Sequence, residues 1–436
     1  MNTRPIKPRD RDTIIQALRA GVVPRLGLQY IQVGRQREIQ AALRDIDRVA
    51  DGGASARFVI GAYGAGKTFF LFLVRQIALQ RKLVVMQADL GPDRRIHATG
   101  GQARTLYAEL AKSMATRTAP DGGALRGIVE AFIAETAELN PAKPIDHAIS
   151  ARLAPLREMV SGYDFATVIV AYARGYEENN DALQQAALRW LRGEYTTKTE
   201  ARNDLGVRTI IDDQAFYDAL RLMARFVRIA GFAGLVVCLD EMVNLYKLQS
   251  AQARNQNYEQ MLRIFNDAMQ GTTEGLGIVF GGTPESLMDT RRGVYSYEAL
   301  RSRLTENSFA SEGLVDLTGP VLRLQSLTVE ELLHLLERLR DVFASGDPAA
   351  HLVPDEALHA FLEYCRSRIG EAYFQTPRNT VKAFVDLLSV LEQNPGSTWQ
   401  ERLGMMQIEP DRGAEADFAL PQDDGGSNDD LATFRL

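Results

Sequence analysis

The sequence predicts an α/β fold, a three-layer sandwich in which helices cover both faces of a mainly parallel sheet. Short apolar runs, which indicate buried strands, alternate along the chain with amphipathic segments, which indicate helices. A glycine-rich motif, Gly61–Thr68, stands between one such strand and the helix after it. Another apolar run ends in two carboxylates, Asp240 and Glu241. These three observations predict a sheet whose strand ends bind a nucleotide.

The composition excludes several classes of protein. The 436 residues carry a formal net charge of -6, which argues against a grip on nucleic acid over the whole surface. No apolar run approaches the roughly 18 residues of a spanning helix, and the first residues lack the apolar core of a signal peptide. Cys238 and Cys365 lie apart in apolar segments, so we expect reduced packing residues and no cysteine metal site. The sequence therefore predicts a cytoplasmic protein without a membrane partner.

The glycine-rich motif matches the phosphate-loop pattern G-x-x-x-x-G-K-S/T. Its glycines let successive backbone N–H groups point at a phosphate, Lys67 reaches the β- and γ-phosphates, and the Thr68 hydroxyl is a ligand for Mg²⁺. A predicted strand, Arg57–Ile60, precedes it and a predicted helix, Phe69–Gln80, follows, which disfavours the alternative of a plain glycine-rich turn. The residues expected to bind the nucleotide are Gly61, Tyr63, Gly64, Ala65, Gly66, Lys67, Thr68 and Phe69.

The paired carboxylates supply the acidic part of such a site. Asp240, at the end of the predicted strand Leu235–Leu239, is placed to hold Mg²⁺ through water. Glu241 is placed to polarise an attacking water, which favours ATP hydrolysis over simple binding. The alternative for Glu241 is a solvated acid at the start of a helix.

A third predicted strand, Gly277–Gly282, ends at Thr283. If this strand lies beside the strand of Asp240, the Thr283 hydroxyl lies beside the γ-phosphate and can position the water. The alternative is an ordinary turn, because Gly-Gly-Thr-Pro is also common turn chemistry.

The carboxyl-terminal third of the sequence predicts one more strand, Val321–Leu324, and then a small helical domain. Thr328 and Glu331 form a plausible capping box. The predicted helices are Val329–Phe343, Asp355–Ile369 and Asn379–Gln393, with Arg378 just before the third.

This order of core and helical domain resembles the AAA+ ATPases and their lid. The resemblance implies that Arg378 is the sensor 2 arginine and Thr283 is sensor 1. It also implies that Gly34 and Arg35, just before the core, help to enclose the adenine. The alternative for Arg378 is a surface residue at the start of a helix.

An arginine-rich stretch, Thr290–Leu304, follows the third strand. AAA+ proteins supply an arginine finger from this region across a subunit interface, so the resemblance implies a homo-oligomer. Arg301 and Arg303 are the candidates. A solvated basic face and contacts to the DNA backbone are the alternatives.

The chain between Lys67 and Asp240 is longer than the fold needs. One strand and two helices take about 60 to 80 residues, so roughly 100 residues are inserted. The segment is mostly amphipathic, with Trp190 expected in a core, and its size makes it the candidate for a partner surface.

The motifs GAYGAGKTFFL, RWLRGE, VVCLDE, FGGTPE and TPRNTVKAF, in this order, resemble the ATP-binding proteins of bacterial BREX phage-defence clusters. That family is similar to the Cdc6/Orc branch of AAA+. The resemblance implies an ATPase using ATP and Mg²⁺ as a motor or remodelling subunit, with a helicase or other defence-cluster protein as partner. DNA contact is then direct or through that partner, since no winged helix follows the lid. The alternative is an ATP-dependent switch or scaffold that hydrolyses little.

The predicted domains follow from these elements. They are a flexible amino-terminal arm (1–20), the first part of the core (21–120), the helical insertion (121–228), the second part of the core (229–325), the helical lid (326–395) and an acidic, largely disordered tail (396–436).

Overall fold

A parallel five-stranded sheet organises the chain in the computed structural model, which describes residues 5–305, 307, 316–369 and 377–405. The strand order is β2-β3-β4-β1-β5. This confirms the predicted α/β fold with a parallel sheet. The strands are β1 (Ala54–Gly61), β2 (Val84–Asp89), β3 (Leu235–Asp240), β4 (Leu276–Gly282) and β5 (Val321–Leu324).

The strand order brings the chemical motifs to one edge of the sheet. β1 pairs with β4 and β5, and β3 pairs with β2 and β4, all in parallel register. β1 and β2 are consecutive in the chain but are not neighbours in the sheet, because β3 and β4 lie between them. The carboxyl ends of β1, β3 and β4 therefore carry the phosphate loop, Asp240 and Thr283 at the same edge.

Helices cover both faces of the sheet because its strands are apolar on both sides. On one face, Val59, Val236 and Val279 pack with helices α3 and α4. On the other face, Phe58 and Phe280 stack with ring centroids 5.0 Å apart and pack with helices α5, α11 and α13. These helices are α3 (Gln36–Ala50), α4 (Lys67–Gln80), α5 (Gln102–Ser113), α11 (Phe216–Ile229) and α13 (Ala251–Gln270).

The long segment between α5 and α11 is helical and shares the core of the second face. Trp190 is 1% exposed, and its Nε1 donates to Thr209 O at 2.8 Å. Phe165 and Phe132 belong to the same buried cluster as the strands of the sheet. The insertion is thus continuous with the core. Its helices are α6 (Leu125–Leu139), α7 (Ile145–Arg152), α8 (Gly162–Glu177), α9 (Asp181–Leu191) and α10 (Lys198–Leu205).

A separate core holds the carboxyl-terminal helices together with the start of the chain. Helices α16 (Val329–Phe343), α17 (Asp355–Ile369), α18 (Pro377–Gln393) and α19 (Trp399–Met405) contribute to it, and so do α1 (Pro8–Arg19) and α2 (Leu28–Ile31). Short helices α12 (Val243–Tyr246), α14 (Pro284–Met288) and α15 (Glu298–Leu304) lie near the strand ends, and three-residue 3₁₀ turns occur at Ala154–Leu156, Val294–Ser296 and Pro348–Ala350.

The structure differs from the flexible arm expected over residues 1–20. Ile6 and Ile14 are buried among the carboxyl-terminal helices, and Arg11 Nε donates to Phe343 O at 3.0 Å. Pro8 begins the helix, where a missing N–H costs nothing, and Ile14 and Leu18 lie on one face at helical spacing. Residues 1–4, and residues 406–436 of the expected tail, lie outside the described residues.

Within the described part of the chain, no helix combines the length and apolar character that crossing a bilayer requires.

Candidate functional site

The loop between β1 and α4 has the geometry of a phosphate cradle. Gly64 and Gly66 adopt left-handed φ angles of 76° and 85°, which side chains disfavour. Lys67 Nζ donates to Gly61 O at 2.9 Å and to Ala62 O at 3.1 Å, so the lysine closes the loop on itself. A bound phosphate has only to replace these carbonyls as the acceptor of the Lys67 ammonium.

Three carboxylates act on the charge of Lys67. Burial lowers the pKa of the Lys67 ammonium, while the charges of Asp240, Glu241 and Glu285 act in the opposite direction. Burial disfavours the charged form and nearby acids favour it. The site therefore pairs one cation with several acids at the end of the phosphate loop.

A hydroxyl and a buried carboxylate meet beside the loop. Thr68 Oγ1 donates to Asp240 Oδ2 at 3.0 Å, and Asp240 is 2% exposed. The other carboxylate oxygen, Oδ1, accepts from Glu241 N at 2.9 Å. Gly281 on β4 leaves room for this carboxylate, because a Cβ there would overlap Oδ1 and come within 3.1 Å of Asp240 Cγ. Hydroxyl and carboxylate oxygens are the ligands that Mg²⁺ prefers, so the residues fit that ion.

Glu241 follows β3 in a strained conformation. Its φ is 60°, in the left-handed region, which costs an L-residue about 1–2 kcal/mol. The residue lines a cavity above the phosphate loop. Backbone strain of this kind is concentrated at functional sites, where it sets the direction of a side chain.

The cavity has a volume of about 390 Å³, within the range of small-molecule sites. The phosphate loop forms its polar end, and apolar side chains of the amino-terminal segment, α4 and the carboxyl-terminal helices form most of the rest. Such a wall suits a planar base, with the phosphates at the polar end. The apolar lining residues include Leu18, Val22, Val23, Ile31, Val33, Ile39, Phe69, Phe70, Leu73, Leu327, Leu335 and Val381.

Arg35 holds the loop from the side of the cavity. Its Nη2 donates to Ala65 O at 2.6 Å and to Gln325 O at 2.9 Å, and burial lowers its pKa. Gly34, with φ 60°, lies against Glu331, whose Cδ would be 2.7 Å from an added Cβ. Arg35 lines the cavity, whereas Gly34 gives close packing with the helical domain.

Arg378 reaches the phosphate loop from the first turn of α18. Its Nη1 donates to the Tyr63 hydroxyl at 2.8 Å, and its guanidinium lies 5.9 Å from the centre of the Tyr63 ring. Arg378 and Tyr63 both line the cavity. The helical domain thus contacts the loop directly through an arginine.

Thr283 lies at the expected strand end but serves as a cap. It is 6% exposed, and its hydroxyl accepts from Ser286 N at 3.3 Å at the start of α14. Thr283 is not among the residues that line the cavity. The strand of Thr283 lies beside the strand of Asp240, as a water-positioning hydroxyl would require, and the cap at Thr283 also fits the ordinary turn that was the alternative.

Arg301 and Arg303 lie on α15, away from the cavity of their own chain. Arg301 Nη1 is 3.6 Å from Glu298 Oε2, and half of its side chain is exposed. Arg303 Nε donates to Asn266 Oδ1 at 2.9 Å. Of the two, Arg301 is the less restrained.

Sequence reasoning missed two acids at this edge. Asp89 ends β2 in register with Asp240, and burial followed by the charge of Asp240 raises the pKa of Asp89. Glu285, at the start of α14, acts on the charge of Lys67. The signal for Asp89 was present, since an acid closes an apolar strand there as at Asp240. The sequence alone did not show that β2 and β3 are neighbours in the sheet.

Comparison with known proteins assigns the family. No curated protein sequence matches the chain. The family model described as BREX system ATP-binding protein BrxC/D matches residues 6–407, which include every strand of the sheet, the phosphate loop and the carboxyl-terminal helices. Because that match covers far more than half of the chain, the protein belongs to the family of BREX system ATP-binding proteins BrxC/D.

Proposed function

We propose that this protein is a Mg²⁺-dependent ATPase of the AAA+ type, and that it acts in the cytoplasm as a motor or remodelling subunit. Its family supports ATP binding and a role in BREX phage defence, and it implies that other proteins of the defence cluster are partners. The observation that carries the proposal is the hydrogen bond between Thr68 and Asp240, with Lys67 and Glu241 beside it.

The proposed chemistry uses four side chains in separate roles. Lys67 transfers its hydrogen bonds from the loop carbonyls to the β- and γ-phosphates. Thr68 and Asp240 would hold Mg²⁺, which would supply positive charge against the phosphate oxygens. Glu241 accepts a proton from the attacking water. The water then attacks the γ-phosphorus, and the bond to the β-phosphate oxygen breaks.

The strand order and the helical domain support the AAA+ assignment. We propose that residues 326–395 act as the lid, with Arg378 as sensor 2, moving from the Tyr63 hydroxyl to the nucleotide. Thr283 acts as sensor 1. Its oxygen accepts from Ser286 N, which leaves the hydroxyl proton available to orient the water.

A neighbouring subunit completes the site in this proposal. Arg301 acts as the finger, because Arg303 is already bonded to Asn266 and to the main chain. A homo-oligomer is therefore required for full activity. The further partner is a helicase or another DNA-processing protein of the cluster.

A second candidate function is an ATP-dependent switch that hydrolyses little. The observation favouring it is the path of residues 21–33, which connect α1 in the helical domain to the wall of the cavity. A nucleotide that binds against Val22 and Val23 then shifts α1 and the carboxyl-terminal helices, whether or not ATP is cleaved.

Phosphate release separates the two functions. It is measured with ATP for the wild type, for Glu241→Gln and for Glu138→Gln, an exposed acid of the insertion that serves as matched control. Each is assayed with and without double-stranded DNA. The ATPase predicts turnover that only Glu241→Gln abolishes. Negligible turnover of the wild type, with ATP-dependent assembly intact, contradicts the ATPase and favours the switch.

Mixed subunits test the finger. Lys67→Ala subunits mixed with Arg301→Ala subunits should regain part of the activity, since each supplies what the other lacks. Arg303→Ala is the matched control on the same helix. Absence of rescue in the Arg301 mixture contradicts a role in trans.

A further inference from the structure

We propose that this protein binds the phosphodiester backbone of DNA on a basic surface beside the ATP site. The surface, called here the α13 basic surface, is formed by residues 90–101, 246–250 and 289–293 where they meet the amino-terminal half of α13. This proposal goes beyond ATP hydrolysis, because it assigns the contact with DNA to this chain and not to its partners.

Two consecutive residues of α13 hold the two loops together. Asn257 is fully buried; its Oδ1 accepts from His97 N and its Nδ2 donates to His97 O, both at 3.1 Å. The Tyr258 hydroxyl donates to Arg292 O at 2.6 Å. The loop after β2 and the loop after α14 are therefore fixed within one turn of the same helix.

Two arginines of this surface share one main-chain acceptor. Arg254 Nη1 donates to Leu248 O at 2.5 Å and to Gln249 O at 3.1 Å, and Arg292 Nη2 donates to the same Leu248 O at 3.1 Å. Among the described residues, neither arginine forms an ion pair with a carboxylate. Burial and then the charge of Arg292 lower the pKa of Arg254, as expected for two close cations.

The acids nearby do not cancel this charge. Asp289 accepts from the main-chain N–H groups of Arg291 and Arg292 and from the Tyr246 hydroxyl. Asp93 is 3.7 Å from Arg94 and is 73% exposed, so that pair is weak. The local charge is thus positive although the whole chain is acidic.

Unpartnered nitrogen atoms are concentrated at the same place. Arg95 is half-buried, and its guanidinium makes no hydrogen bond or ion pair with any described residue. Four of the eight buried side-chain nitrogen and oxygen atoms that lack a hydrogen-bond partner in the described chain belong here, namely Arg94 Nε, Arg95 Nε, His97 Nδ1 and Arg292 Nε. These four atoms are themselves buried, so an acceptor from outside the chain would bond to the terminal nitrogens of the partly exposed Arg94, Arg95 and Arg292 side chains.

An extended polyanion fits this surface better than a single phosphate. The cations come from three segments, and Arg291 at the outer end is exposed. Gly101 precedes α5 and its N–H donates to Asp213 Oδ2 at 2.7 Å, so this acid bounds the basic surface at the α5 end. Arg254 and Arg292 are held by main-chain carbonyls, so they present charge without reaching toward base edges, and we expect binding that is independent of sequence.

The test measures DNA affinity by fluorescence anisotropy over about 50 to 200 mM salt, with a duplex of mixed sequence and a single strand of equal length. The proteins are the wild type, Arg95→Gln and Arg291→Ala. Arg81→Ala is the control, since Arg81 is 53% exposed and lies at the opposite edge of the sheet, at the end of α4. No step of the assay requires hydrolysis, so it stays informative if the proposed ATPase fails.

Each of the two variants should lower DNA affinity by roughly three- to tenfold and reduce the salt slope by about 0.9 for the duplex or 0.7 for the single strand. Arg95→Lys, which keeps the charge, should retain binding. Unchanged affinity and slope in both variants overturns the proposal, and so does an equal loss in Arg81→Ala. A loss in Arg95→Lys equal to that in Arg95→Gln also overturns it, because the role is then structural. A mixture of Arg291→Ala and Lys67→Ala subunits gives a last contrary outcome. If the mixture regains ATP turnover while the DNA affinity of Arg291→Ala is unchanged, the proposal is overturned, because Arg291 then contacts the nucleotide of a neighbouring subunit.

Discussion

Replacing Gly281 by alanine tests whether the position of the Asp240 carboxylate controls turnover at the proposed ATP site. A Cβ at Gly281 would overlap Asp240 Oδ1 and lie 3.1 Å from Cγ and from Leu71 Cδ1. The carboxylate must then retreat from Thr68 by roughly 0.5–1 Å, and a misplacement of about 1 Å costs up to about 10²-fold in rate. We expect kcat to fall about 10- to 100-fold.

Gly277→Ala is the matched control on the same strand. Its Cβ would meet Ser55 Oγ at 3.0 Å and Val49 Cγ2 at 3.1 Å, at the amino-terminal end of β4 and far from Asp240. Overpacking costs about 1–3 kcal/mol of stability in either variant. Steady-state phosphate release against Mg²⁺ concentration, with urea unfolding, separates the two effects. Equal kcat in Gly281→Ala and Gly277→Ala would refute the reasoning.

Three further predictions concern strain, charge and packing. Glu241→Gly should raise the free energy of unfolding by about 1 kcal/mol and abolish turnover, because glycine takes φ 60° without cost; lower stability in urea would argue against strain. Asp289→Asn should destabilise the chain at neutral pH but not at acidic pH. Burial raises the pKa of Asp289, but hydrogen bonds from Arg291 N, the Tyr246 hydroxyl and Arg292 N lower it overall. The Asp289 carboxylate therefore adds to the free energy of unfolding above the ordinary carboxyl pKa, and this stabilisation is lost as pH falls through the lowered pKa. If the wild type and Asp289→Asn differ in thermal unfolding midpoint by the same amount at every pH, the carboxylate charge is not the cause. Ile14→Ala should cost about 2–5 kcal/mol, since Ile14 is fully buried, whereas exposed Val22→Ala should cost little; similar urea midpoints for the two variants would exclude α1 from the core.

The parts of the site that lie within one short stretch could be predicted from the sequence. The phosphate loop, Lys67 and Thr68 depend on a strand, a glycine turn and a helix that are adjacent in the chain. Asp240 could be added because the carboxyl ends of parallel strands share an edge. These residues meet in the structure because the local pattern and the sheet geometry require the same arrangement.

The remaining features depend on contacts that no local pattern carries. Asp89 becomes part of the edge only because β2 pairs with β3. Ile6 and Ile14 looked like isolated apolar residues in a charged terminus, and their burial depends on the faces of α16 and α18. Val22 and Val23 carry no motif, yet they line the cavity because α1 and α3 fix both ends of their segment.

The shared core of the insertion and the sheet also has a consequence for folding. Thr68 and Asp240, which meet through a hydrogen bond, are separated by 172 positions, and the inserted helices lie in that interval. β3 cannot take its place between β2 and β4 until the chain has crossed this interval, so closing it is a non-local and slow event. We therefore expect the two halves of the candidate nucleotide site to come together late, once the insertion has packed against α5 and α11. ATP binding by a newly made chain would thus indicate that the insertion has folded.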